Sequence, residues 1–195
     1  MKKTWKTYMG FLLALILSMG MMTGCGGGPA DTDEESVLDY SVKLYYVSSE
    51  YLETGDESIE PMIMTEVLAS TDAEMSEVYD IYDIALDLLT EVMGEGMDTM
   101  VKVEMVNDTT VTDGVAVVDF NGEAMHGGSM EEVYLIEQVV RTLVKSFDEI
   151  TAVQFTVDGQ TVDSLMGHLE ANCTYGLISV EEDGVDVELV TIMEE

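Results

Sequence analysis

Two spacings of apolar residues recur along this chain and mark out its elements. Tyr40, Val42, Leu44 and Tyr46 alternate with Ser41, Lys43 and Tyr45, the two-residue repeat of a strand with one buried face. Ser48 to Pro61 is polar and contains Gly55, so a loop is expected, and Met62-Ile-Met-Thr reads either as a short strand or as a connector. Thr71 followed by Glu74 makes a capping box, after which Val78, Ile81, Tyr82, Ala85, Leu88, Leu89 and Val92 trace one helical face ending near Gly94. Opposite that face runs an acidic row, Asp80, Asp83, Asp87 and Glu91, whose like charges cost a few tenths of a kcal/mol per pair.

Val101, Val103 and Met105 then alternate with Lys102 and Glu104 as a strand, and Asn107 to Gly114 carries turn residues leading into Val115, which predicts a hairpin. Val115 to Phe120 is apolar at both parities, as in a strand covered on both faces or a central strand under a helix layer. After the loop Asn121 to Gly128, Ser129 and Glu132 form a second capping box. The helix they open buries Ile136, Val139, Val140, Leu143 and Phe147, while Glu137, Arg141 and Lys145 sit four apart on its wetter side in the favourable acid-before-base order. Ala152 to Val157 is the next strand, and Asp158-Gly159 suits a type I′ turn because both central positions need positive φ. Thr161 to Leu165 returns from it, Leu169 to Leu177 is irregular, and Val185 to Ile192 is a last strand flanked by acids that discourage edge pairing.

Val115-Ala-Val-Val-Asp-Phe, the helical Val139-Val-Arg-Thr-Leu143, Ile150-Thr-Ala-Val-Gln-Phe-Thr-Val-Asp-Gly159 and Leu165-Met-Gly-His168 together resemble the GerMN domain of bacterial extracytoplasmic proteins. The resemblance is best over residues 115–168 and looser over Tyr40 to Val106. One departure is Met93-Gly-Glu-Gly-Met97, where the family commonly has a Gly-Pro turn. What the resemblance implies is a small α+β module for interaction or assembly in a Gram-positive envelope, linked to sporulation or germination, with side-by-side self-association as a further expectation.

The N-terminus adds an address. Lys2, Lys3 and Lys6 precede the apolar run Phe11 to Leu17, which is too short to span a membrane and is followed by Met22-Thr-Gly-Cys25, an arrangement that resembles a lipobox. That resemblance makes residues 1–24 a signal peptide and Cys25 the lipid-modified first residue of the mature chain, against the simpler reading of an ordinary signal with an incidental cysteine. Gly26-Gly-Gly-Pro-Ala and the acids Asp31 to Glu35 make residues 25–38 a flexible tether, leaving 39–195 as one domain.

Charge narrows the partners. Loss of the leader removes three basic residues and no acid, so four basic face forty acidic residues, a net of −36. Such a surface repels nucleic acid and anionic headgroups, leaving membrane attachment to the lipid at about 0.8 kcal/mol per buried CH₂. It also opposes self-association unless counter-ions or a basic partner screen it.

Candidate chemistry is sparse. With Cys25 acylated, Cys173 is a lone thiol that cannot form an internal disulfide, and the only tryptophan, Trp5, leaves with the leader. His126 and His168 sit in loops, Ser129 is better explained as a cap than as a nucleophile, and a pairing of Cys173 with His168 has no third orienting group. No catalytic, zinc or phosphate-loop template is present, and the acidic row lacks the ligand spacing of a calcium loop. No cofactor or metal is expected. The acidic row is then a solvated face, or else a docking face for a basic partner. The methionines Met62, Met64, Met97, Met100 and Met105 are core filler, or else the lining of an apolar partner groove.

The sequence therefore predicts an α+β two-layer sandwich, a mostly antiparallel sheet with two helices on one face in the order β-α-β-β-α-β plus a C-terminal strand. The resemblances to a GerMN domain and a lipobox imply that it serves as a non-catalytic, membrane-anchored interaction or assembly domain. The rival is a ligand-capturing surface lipoprotein, which requires a cleft near His126 to Gly128.

Overall fold

A computed structural model describes residues 38–71, 80–182 and 185–193. The expected signal peptide, Cys25, residues 25–37 of the expected tether, and Glu74 and Val78 of the expected first helix lie outside the described residues. The described residues belong to a single unit, Glu35–Glu195.

The architecture is α+β, with two sheets where one was expected. β1 (Leu38–Ser48) pairs antiparallel with β2 (Met62–Thr71) along ten registered positions and with the two-residue β3 (Met97–Asp98) at its far end, giving the order β2-β1-β3. Met62 thus begins a long strand, and Thr71 ends it opposite Leu38 instead of capping a helix. The polar segment after β1 is not all loop. Ser48 caps a short helix, α1 (Ser49–Thr54), which Gly55 closes in the left-handed region at φ 64°. The cap of α2 (Ile81–Leu89) is Asp80, whose Oδ1 accepts the Tyr82 N–H.

The second sheet has the order β4 (Val106–Thr112), β5 (Val115–Phe120), β6 (Ala152–Val157), β7 (Thr174–Glu182) and β8 (Val185–Ile192), and is antiparallel except between β5 and β6. Parallel neighbours need a crossover, and α3 (Ser129–Ser146) supplies it. The expected strand-helix-strand unit is therefore present. Ala116, Val118 and Phe120 face the helices and are buried, while Val115 and Val117 are half-buried on the opposite face, so β5 is the central strand under a helix layer.

Boundaries differ elsewhere. Val101 to Met105 is irregular, and the hairpin partner of β5 is β4 (Val106–Thr112), closed by Asp113 and Gly114 at φ 52° and 84°. Asp158 and Gly159 have the expected positive φ, 49° and 73°, yet the chain beyond them makes only an isolated bridge from Val157 to Gln160. Thr174 opens β7 (Thr174–Glu182), which pairs with β8 (Val185–Ile192).

One core joins both sheets through the helices. Val42, Leu44 and Tyr46 of β1 meet Ala85, Leu86 and Leu89 of α2, while Leu135, Val139 and Leu143 of α3 lie over Val118, Phe120, Val153 and Phe155. The Phe120 and Phe155 rings stack at 5.7 Å, and Met105 is fully buried with Met93, Met97 and Met100 packed around the core. Core filling thus accounts for most of the methionine cluster, with Met64 left exposed.

A polar stripe on α3, buried at Gln138 and Thr142 and half-buried at Ser146, was not legible in the sequence. Gln138, Thr142 and Ser146, four residues apart, run beside the edge of β1 that β2 does not cover. Gln138 Nε2 donates to the Tyr45 carbonyl (2.9 Å), Thr142 Oγ1 accepts from Tyr45 N–H (3.2 Å), and Ser146 Oγ accepts from Lys43 N–H (2.9 Å). Gln138 Oε1 also accepts from Met100 N–H at 2.7 Å. Side chains of the helix replace a neighbouring strand, which satisfies backbone groups whose burial without partners would cost about 1–3 kcal/mol each.

The side of α3 expected to be wet is also covered. Arg141 Nε pairs with Glu137 at 2.6 Å, its Nη2 donates to the Glu188 carbonyl at 2.9 Å, and Lys145 pairs with the Glu188 carboxylate. The β7–β8 hairpin thereby lies along α3 instead of leaving it to solvent. No helix among the described residues is long and apolar enough to cross a membrane.

Candidate functional site

The loops after β5 and β6 leave the same end of a parallel pair, the position where α/β sheets commonly bind ligands. In this chain they are tied down by the chain's own carboxylates. Glu132 is fully buried, and both its oxygens are saturated. Oε1 accepts from Ser164 Oγ (3.0 Å), Leu165 N–H (2.9 Å) and Met166 N–H (2.9 Å), and Oε2 accepts from His168 N–H (2.8 Å) and Leu169 N–H (3.2 Å). Burial alone would raise its pKa, but the combined donors outweigh that and hold it below the ordinary glutamate range. This corrects the capping assignment. The cap is Gly128, whose N–H is accepted by Glu131, and Glu132 is free to fasten the loop 164–169.

Asp119 does the same for the turn after β6. It accepts from Thr156 Oγ1 (2.6 Å), Gly159 N–H (2.7 Å) and Asn107 Nδ2 (2.9 Å), and although burial opposes ionisation, these bonds keep its pKa low. The segment His126 to Gly128 is packed from within. A side chain at Gly127 would meet Met166 Sδ at 2.8 Å and Glu131 Cβ at 3.2 Å. His126 and His168 are exposed, and His168 enters the network through its backbone N–H.

The acidic row is not uniform. Asp80 and Asp87 are exposed on α2 and Glu91 just beyond it, whereas Asp83 turns toward β4 and Thr109, which is 2% exposed. The Thr109 hydroxyl favours the carboxylate, yet neither Asp83 Oδ1 nor Thr109 Oγ1 closes a hydrogen bond of ordinary geometry among the described residues. Burial is the main reason the Asp83 pKa is raised to about 6, with Asp108, Asp80 and Asp87 adding to it. No group of three or more potential metal ligands converges among the described residues.

Cys173 is half-buried and donates to the Glu170 carbonyl at 3.5 Å, as does the Tyr175 hydroxyl. Burial pushes its thiol pKa up, which keeps it protonated and weakly nucleophilic. Glu132 could have been found in the sequence only as a second acid beside Glu131 in a first turn. Nothing there distinguished the buried one, since its partners lie more than thirty residues away.

The fold and these anchored loops define a small α+β module in which one parallel pair sits in an otherwise antiparallel sheet. A family model described as sporulation and spore germination, Germane, matches residues 43–163, and the chain belongs to that family. No curated protein matches it in sequence. Among solved structures, the tandem GerMN domains of the sporulation protein GerM from Bacillus subtilis are similar at TM-score 0.53 and 13% identity, covering 80% of this chain and 60% of that one. The first of those domains alone gives 0.51 at 16% identity, covering 67% and 92% respectively. A candidate lipoprotein from Clostridium perfringens gives 0.45 at 15% identity, covering 76% and 93%.

Proposed function

We propose that this chain is an extracytoplasmic lipoprotein, anchored by lipid on Cys25, whose Germane domain binds other envelope proteins in sporulation or germination and transforms no substrate. The observation that carries the binding role is the internal use of the polar groups at the strand ends. Glu132 and Asp119 point their oxygens at the chain's own backbone, and a catalytic carboxylate would have to present them to a ligand. The leader and the Met22-Thr-Gly-Cys25 run support the anchor, and the acidic tether fits a domain held off an anionic membrane.

The test is labelling of growing cells with a palmitate analogue. The wild-type chain takes up label and fractionates with membranes, whereas Cys25→Ala loses both properties. A wild-type chain that stays unlabelled would overturn the anchored reading.

A further inference from the structure

The two sheets have four edges between them, and the chain itself guards three. Along β1, backbone groups that turn away from β2 are taken by Gln138, Thr142 and Ser146 and, at the far end, by β3. A bulge between Val106 and Asp108 breaks the ladder of β4, and on β8 the Glu188 carbonyl accepts from Arg141. Bulges and covering side chains are ordinary means of keeping foreign strands off a sheet. β2 has neither, and its ten residues include no proline or lysine. Its open edge is regular. Ser48 N–H donates to the Pro61 carbonyl at 2.8 Å, which sets the phase of the antiparallel ladder. Ile63, Thr65, Val67 and Ala69 therefore turn their backbone groups toward β1, while Met62, Met64, Glu66, Leu68 and Ser70 turn theirs outward. Those outward groups have no partner among the described residues. The side chains of the outward set lie on the sheet face away from the core, with Met64 48% and Leu68 70% exposed and the exposed Glu66 between them.

We propose that the open edge of β2 takes up an extended segment of another protein, one that sets Lys or Arg beside Glu66 and apolar residues beside Met64 and Leu68. The backbone selects the shape of the occupant, because an alternating row of N–H and C=O groups is matched along its length by another strand. Charge selects its chemistry. In an added strand the residue beside Glu66 projects from the same face, where an opposite charge stabilises and a like charge destabilises. Lys43, the cross-strand neighbour of Glu66 on β1, forms no ion pair with it among the described residues, so the carboxylate is open to a cation from outside. The chain as a whole, with 40 acidic against 7 basic residues, attracts a basic partner and repels an acidic one. A second copy is disfavoured on both counts, since pairing two β2 edges in register sets Glu66 against Glu66. The inference rests on the protein-binding reading above and gives that partner its chemistry.

The experiment uses the full chain in detergent and the fluorescent peptide Thr-Ile-Thr-Lys-Thr-Ile-Thr. Binding should be saturable and about fivefold or more tighter than for the same peptide with Glu in place of Lys. Amide exchange at Met64, Glu66 and Leu68 should be fast in the free chain and slow about tenfold or more when the peptide is bound. Met64→Pro with Leu68→Pro removes two outward donors and leaves the ladder to β1 intact, so it should weaken binding about tenfold. Glu66→Lys, which changes no backbone group, should reverse the preference between the two peptides. No saturable binding, slow exchange at those three amides in the free chain, binding insensitive to the proline pair, or a preference unchanged in Glu66→Lys would each overturn the inference. Any of those results obtained with Cys25-dependent palmitate labelling intact would remove the strand site and leave the anchored reading standing.

Discussion

Glu132 Oε2 accepts the His168 N–H at 2.8 Å across 36 residues of chain, so a helix residue and a loop residue hold each other in place. Replacing Glu132 with Gln keeps the size but removes the charge and turns an amide donor toward backbone donors. The expected loss is about 2–4 kcal/mol, which for a domain of this size lowers Tm by roughly 5–15 °C. Calorimetry checks it, and limited proteolysis should show new cleavage within 164–169. A Tm within a degree of wild type would remove Glu132 from the fold's supports.

The same contact gives an acid limit. Because the folded pKa of Glu132 lies below the ordinary 4.5, its stabilisation is complete above that value and is lost as pH falls through the depressed folded value. The Tm gap between wild type and Glu132→Gln should thus be widest near neutrality and narrow below about pH 4.5.

Asp83 behaves in the opposite sense. Its pKa is raised from 3.8 to about 6, so its ionisation opposes folding as pH climbs through that interval. Asp83→Asn should stabilise the domain at pH 7.5 by on the order of 1 kcal/mol after solvent screening. The gain should vanish below pH 3.8, where the wild-type carboxyl is protonated too. Thermal melts of both proteins across that range decide the matter, and a pH-independent gain would contradict the assignment.

Gln138→Leu keeps the volume of a fully buried side chain while stranding the Tyr45 carbonyl and the Met100 N–H. A loss of about 2–3 kcal/mol is expected. Hydrogen exchange should quicken at Met100 and along the β1 edge, with the β5–β6 pairing unaffected.

Arg141→Met removes both the ion pair with Glu137 and the bond to the Glu188 carbonyl. The expected cost is about 1 kcal/mol. The sharper readout is faster amide exchange in β8 without loss of α3.

Local periodicity determined most of the central unit. β5, α3 and β6 each have strong repeats and clear boundaries, and the helix between them supplies the crossover that their parallel pairing requires. The I′ geometry at Asp158-Gly159 was likewise local chemistry, because few residues other than Asn, Asp and Gly tolerate two successive positive φ values. The net charge, too, was legible from composition alone.

Tertiary structure decided the rest. Whether Thr71 caps a helix or ends a strand depended on the ten-residue pairing of β1 with β2, which outweighs a capping box. Asn107 to Thr112 has turn residues yet forms β4 because β5 offers a ladder beside it. Glu131 and Glu132 are adjacent acids in one helical turn, and only the loop brought over from 164–169 makes one a cap and the other a buried anchor. Gln138, Thr142 and Ser146 looked like ordinary polar helix positions until the edge of β1 lay against them. Short-range spacing fixes what a segment can form, whereas the partner of each polar group is set by chain that lies far away in sequence.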